Sequence, residues 1–111
     1  MTRQNVSETR SEKDNQYVKM AAAFKALSDP KRVKIIDLLS CGEMCGCVLL
    51  KCFEITQPTL AHDMKVLTDA GIVTSRREGK RTLYSLNWDA VEKMGKELRE
   101  MLRRKDDHLS C

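Results

Sequence analysis

Apolar residues recur along this chain at steps of three and four in some segments and at steps of two in another, and the change of period marks out the elements. Tyr17, Met20, Ala21, Phe24 and Leu27 predict a first helix whose apolar stripe faces a core. Ser28-Asp29-Pro30 punctuates the chain, with Asp29 placed to cap and Pro30 at a position where a missing N–H costs nothing. Val33, Ile36 and Leu39, with Ile35 and Leu38 beside them, predict a second helix ending near Ser40-Cys41-Gly42. Glu43 to Cys47 reads as a turn into a short helix anchored by Leu49, Leu50 and Phe53. Thr56 is an N-cap for a further helix with Leu60, Met64 and Leu67 inward, closed by Gly71. From Ile72 the period is 2, giving two strands, Ile72–Arg77 and Arg81–Leu86, with the turn at Gly79. Asn87 caps a last helix, Trp88 to about Arg104, with Val91, Met94, Leu98, Met101 and Leu102 on one side.

Two short helices joined by a tight link and followed by a basic-tipped hairpin make a winged helix-turn-helix. The fold class expected is mainly α with a β-hairpin wing. Residues 1–14 lack apolar periodicity, and their basic and acidic residues cancel, so they read as a flexible arm; 15–105 form the DNA-binding and dimerisation domain, and 106–111 a flexible tail. At 111 residues there is no room for a second catalytic domain. No apolar run approaches the roughly 20 residues of a membrane span, and Met1–Lys19 lacks the apolar middle of a secretory signal, so a cytoplasmic protein is expected.

A formal charge of +4 is too mild to name a partner, but its placement is informative. Residues 72–87 hold Arg76, Arg77, Lys80 and Arg81 against Glu78 alone, a local footprint for a polyanion. The five cysteines are odd in number, and three crowd into Cys41, Cys45 and Cys47. A disulfide contributes most across a long loop, so clustered thiols in a reducing compartment read as metal or redox ligands.

Ala26-Leu27-Ser28-Asp29-Pro30-Lys31-Arg32, Glu43-Met44-Cys45-Gly46-Cys47, Thr56-Gln57-Pro58-Thr59-Leu60 and Arg77-Glu78-Gly79-Lys80 resemble, in this order, the ArsR/SmtB metalloregulatory repressors. The resemblance covers about Phe24 to Leu86 and implies a homodimer on double-stranded operator DNA. It also implies release by a thiophilic ion, As(III) or Sb(III) in the branch with Cys-x-Cys at this place. The enteric arsenic repressors carry a third cysteine where this chain has Leu50, so their triad is absent here.

As(III) prefers three thiolate sulfurs, and Cys45 and Cys47 are the first two expected ligands. Near a helix start, their thiolates are favoured by the positive end of the dipole. For the third, Cys41 and Cys52 stand level. Cys52 is about 10 Å from Cys45 on an intact helix, while Cys41 can fold back at Gly42. Cys111 in the tail is a further donor, and packing is an equal alternative for Cys52. The Asp/His zinc site of other members is not expected, since the last helix offers Asp89 and Glu92 but no histidine before His108.

With Leu60, Met64 and Leu67 inward, the outward positions of the recognition helix are Gln57, Thr59, His62, Asp63 and Val66, with Lys65 on the flank. Gln57, Thr59 and His62 are expected in the major groove, and Arg77, Lys80 and Arg81 on phosphates or in the minor groove. Ala61 stands where the family usually has serine and Asp63 where it has histidine, and an acid facing DNA would weaken binding. Tyr17, Phe24, Val91, Met94, Leu98 and Met101 are the expected dimer surface, giving the two-fold symmetry of a palindromic site. Two other readings stay open: a winged-helix repressor switched by thiol oxidation, and a thiol enzyme or metal carrier. No Gly-rich phosphate loop or catalytic dyad supports the enzyme.

Overall fold

The structure, a computed structural model, describes residues 11–105; the first ten residues of the arm and the tail with His108 and Cys111 lie outside the described residues. Helix α1 (Glu12–Ala26) starts where the Ser11 hydroxyl accepts the Asp14 N–H at 3.1 Å. Helix therefore reaches into residues 12–14 of the stretch read as an arm. Its first turn is set by a cap and two acids at the positive end of the dipole, which leave no trace in apolar periodicity. The face it turns inward is Met20, Ala23 and Ala26, whereas Tyr17, Ala21 and Phe24 are exposed. The small alanines let the helix approach the core; the bulky aromatics are left outside.

Helix α2 (Pro30–Leu39) begins as expected, with the Asp29 carboxylate accepting the Lys31 N–H at 2.7 Å and proline at its first position. It buries Ile35 and Leu39. The turn after it places Gly42 at φ 132°, where an L side chain is strained. Next comes strand β1 (Met44–Cys45), where the sequence suggests only a turn, and then the five-residue helix α3 (Gly46–Leu50), whose Leu49 is fully buried. Helix α4 (Gln57–Asp69) is capped by Thr56, which accepts the Thr59 N–H at 3.3 Å. Strands β2 (Val73–Glu78) and β3 (Arg81–Leu86) follow, then helix α5 (Trp88–Leu102). The chain leaves α4 at Gly71 with φ 78° and turns the hairpin at Gly79 with φ 64°.

The sheet is three-stranded and antiparallel, in the order β1-β3-β2. Met44 sits opposite Tyr84 and Cys45 opposite Leu83; in the next pair Leu83 faces Arg76 and Tyr84 faces Ser75. Ile35, Leu39, Leu49, Leu60, Met64, Leu67, Ile72, Val73 and Leu86 form one core shared by α2, α3, α4 and the sheet. Each such aliphatic side chain contributes about 1.5–3 kcal/mol of burial. Asn87 joins the hairpin to α5. Its side-chain oxygen accepts the Ala90 N–H, its amide donates to the Gly71 carbonyl at 3.1 Å, and its own N–H donates to the Ile72 carbonyl.

Candidate thiol and nucleic-acid interface

Cys45 ends β1 and caps α3, so its position is fixed from both sides. Its backbone pairs with β3, and its sulfur accepts the Cys47 N–H at 3.3 Å. Cys45 is buried and Cys47 exposed. The Cys47 thiol and backbone N–H both donate to the Cys45 sulfur, which holds the Cys45 pKa below the ordinary thiol value and pushes that of Cys47 up. One thiolate is therefore favoured and its neighbour stays protonated until later. Between the two, Gly46 lies under the Tyr84 ring, where an added Cβ would come within 3.3 Å of the ring carbon Cε2.

The other thiols are not gathered to this pair. Cys41 is exposed on the turn after α2, with its N–H on the Leu38 carbonyl. Cys52 is half-buried; its thiol donates back to the Val48 carbonyl at 3.6 Å, and its carbonyl accepts the Lys34 ammonium at 2.9 Å. That ammonium also stands 4.7 Å above the Phe53 ring. Among the described residues no three Cys, His, Asp or Glu side chains are clustered as a metal site. The donor set suits a soft thiophilic centre and supplies two of the three sulfurs it would take.

Antiparallel partners share a sheet face, so the register places Cys45, Leu83 and Arg76 on one face together with Arg81, Glu78 and Ser85. Glu43, just before β1, straps the thiol segment to this face. Its carboxylate accepts both Nε and Nη2 of Arg76 at 2.9 Å, and Ser85 approaches at 3.4 Å. The Arg76 fork holds the Glu43 carboxyl below its usual pKa. Sequence reasoning missed this strap; the signal was an acid beside the cysteines and an unmatched arginine on the wing. Arg81 pairs with Glu78 across the turn. Arg77, on the opposite face, is exposed and reaches the Thr82 hydroxyl at 3.4 Å, and Lys80 is exposed in the turn.

On α4, Gln57, Ala61, His62 and Lys65 are exposed, and Thr59 is half-buried with its hydroxyl on that of Thr56 at 3.0 Å. Lys65 pairs with Asp69 one turn on at 3.1 Å. Two expected outward positions are not outward. Val66 packs partly against the core, and Asp63 is only 2% exposed. The Asp63 carboxylate accepts Nη1 of Arg32 at 2.9 Å, and this ion pair compensates its burial. The acid therefore does not face DNA. Position 63 lies three residues after Leu60 and four before Leu67, on the inward stripe, and the spacing rather than the polarity is the guide.

The expected dimer residues form no closed core in the single chain. Tyr17 and Phe24 are exposed, and Val91, Met94, Leu98 and Met101 are half-buried on a helix with no fully buried residue. No helix among the described residues is long and apolar enough to cross a membrane.

Residues 29–75 match the bacterial regulatory proteins of the arsR family. The arsenical resistance operon repressor of Staphylococcus xylosus is 41% identical over 95 residues, spanning 86% of this chain and 90% of the relative. That of Staphylococcus aureus is 49% identical over 71 residues, 64% of this chain and 68% of the relative. In three dimensions the chain superposes with a TM-score of 0.68 on a homodimeric winged helix-turn-helix DNA-binding domain from Mycobacterium bovis. The two are 23% identical over 86% of this chain and 95% of that one. This chain belongs to the arsR family of bacterial regulatory proteins and is a DNA-binding transcriptional repressor with a winged helix-turn-helix fold.

Proposed function

We propose that the protein represses an arsenic-resistance operon in the cytoplasm as a homodimer and lets go of its operator when As(III) or Sb(III) engages Cys45 and Cys47. The single observation that carries this reading is that Cys45 belongs to a strand of the wing sheet, hydrogen-bonded to the strand that carries Arg81. In the DNA-bound state α4 lies in the major groove. Gln57, Thr59 and His62 read base edges, Lys65 flanks them, and Arg77, Lys80 and Arg81 contact phosphates. Tyr17 and Phe24 of α1 with Val91, Met94, Leu98 and Met101 of α5 join two copies so that two α4 helices meet successive grooves. The role is that of a regulator and requires no catalytic step.

When bound, the metalloid would supply a soft, thiophilic centre, with Cys45 and Cys47 as two of its sulfur donors. Cys45 is the first donor, its pKa lowered from the ordinary thiol value by the Cys47 thiol and N–H. A third donor has to come from outside the pair. Cys41 can be brought by the turn at Gly42, Cys52 only by giving up its bond to Val48, and Cys111 lies outside the described residues. Drawing any of them toward β1 loads the Glu43 to Arg76 strap and the β1–β3 pairing. The strain then reaches the wing before it reaches α4. The two sites compete, and the coupling is reciprocal.

Fluorescence anisotropy on an operator selected by the protein from a random duplex pool tests this. Arsenite is expected to weaken binding by about 5- to 150-fold, the usual range of such couplings, and Cys45→Ser is expected to abolish that response. Equal affinities with and without arsenite would refute it. The oxidation-switched reading draws on the nearness of Cys47, whose backbone N–H lies 3.3 Å from the Cys45 sulfur; release by peroxide but not arsenite would favour it.

A further inference from the structure

The ion pair between the partly buried Arg32 and the buried Asp63 has no part in the thiol switch. Its geometry is nonetheless directed at the recognition helix. Arg32, on α2, donates Nε to the Ala26 carbonyl at the end of α1 at 2.6 Å and Nη1 to Asp63 on α4 at 2.9 Å. One guanidinium therefore fastens three helices. Its neighbour Lys31 is held by the Asp29 cap at 3.0 Å and stands 3.8 Å from the second Asp63 oxygen, which has no hydrogen-bond partner.

Burying such a pair gives little net stability, because desolvation offsets the attraction and apolar replacements of similar volume are often neutral. What it does supply is direction. The Leu60, Met64 and Leu67 stripe is non-directional and tolerates some roll of α4 about its axis. A hydrogen-bonded ion pair does not tolerate it.

We propose that Asp63, locked by Arg32, is a positioning residue that sets the roll of α4, and with it which side chains meet the base edges. With Asp63 inward, Gln57, Ala61, His62 and Lys65 stand exposed. Through Ala26 the same guanidinium ties that roll to α1. The pair therefore governs sequence discrimination, while phosphate contacts from the wing are independent of it.

The inference rests on α4 being the groove-reading helix, and the two fail differently. If α4 does not read DNA, His62→Ala and Gln57→Ala leave operator affinity unchanged. If only the present inference is wrong, those variants weaken the operator and the pair variants do not.

The test compares operator and random-sequence duplex for the full chain and for the double variant Arg32→Met with Asp63→Leu, after circular dichroism has shown the parent helix content. The ratio of the two affinities is expected to fall at least about tenfold, the scale of one mis-seated base contact, while binding to random sequence is unchanged. A merely structural pair leaves the ratio alone. Should the double variant not fold, Asp63→Asn decides: it keeps an acceptor for Arg32 but loses the charge, and a smaller fall in the same ratio is expected. A parent-like ratio in the variant that is measured, or an equal loss on both duplexes, overturns the proposal.

Discussion

Helices α4 and α5 carry apolar stripes of the same kind, yet only that of α4 is fully buried by its own chain, α5 lending just Val91 and Met94 to the edge of the core. Leu60, Met64 and Leu67 of α4 lie in the common core, with Leu67 at 0% exposure. In α5 no residue is buried; Trp88 is 48% and Leu102 76% exposed, and the stripe borders an open groove against Met20 and Ala23 of α1. The difference separates two kinds of stability. Helix α4 is held by core packing and the Arg32 to Asp63 pair, both within the protomer. In the proposed dimer the rest of the α5 stripe would meet a second copy, and the spacing of the two groove-reading helices would be set by that contact.

The contrast breaks most visibly at Leu67. Leu67→Ala leaves a cavity under α4 and is expected to cost about 3 kcal/mol or more of folding stability, a large fraction of the total for a domain of this size. Urea denaturation reads it as a lowered midpoint with an unchanged slope. Leu98→Glu is the matching change on α5. It is expected to give a folded monomer by light scattering, with operator binding abolished because the half-sites are no longer bridged. A Leu98→Glu protein that stays dimeric, or a Leu67→Ala protein as stable as the parent, would erase the distinction.

The same line between covered and uncovered separates what is legible in the chain from what is not. The caps at Asp29, Thr56 and Asn87 and the glycines at 71 and 79 act through one or two neighbours, so spacing alone locates them. Strand β1 has only two residues, too short for any period, and exists because β3 offers a free edge 38 residues further on. Periodicity places Met20 and Leu27 inward on α1, as observed, but also Tyr17, Ala21 and Phe24, because large residues look like core, whereas Ala23 and Ala26 pack there instead. Asp63 misleads for the opposite reason: its polarity outweighs its position, and its partner Arg32 is 31 residues away. Of the thiol site, the Cys45 and Cys47 pair is legible because it is local. The Glu43 strap is not, since it depends on the hairpin bringing Arg76 back.

The wing offers a finer version of the comparison. Arg76 is engaged by the Glu43 fork, whereas Lys80 has no salt bridge among the described residues and sits in the turn. Lys80→Gln is expected to lower the slope of log affinity against log salt by about 1 for each phosphate that it leaves without a cation. Arg76→Gln is expected to leave that slope near the parent's and to blunt the arsenite response instead, because it cuts the strap between the thiol segment and the wing. If the two variants change the salt slope equally, the strap has no separate role.

The smallest expected effect concerns protons at the thiol pair, measured by thiolate absorbance in a protein with Cys41, Cys52 and Cys111 replaced by serine. The Cys47 thiol is the main donor holding Cys45 below the ordinary thiol range, and the same contact pushes Cys47 above it. The absorbance should therefore rise in two separated steps, one on each side of the ordinary value. Cys47→Ala removes the donor thiol but keeps the backbone N–H, so the remaining step should move up from the lower position toward the ordinary thiol value without fully reaching it. At a fixed pH between those two positions the variant holds less thiolate, and alkylation of Cys45 by iodoacetamide should slow in proportion, since the thiolate is the attacking species. A Cys47→Ala protein that titrates at or below the parent's first step would mean that the strand and not the neighbouring thiol activates Cys45.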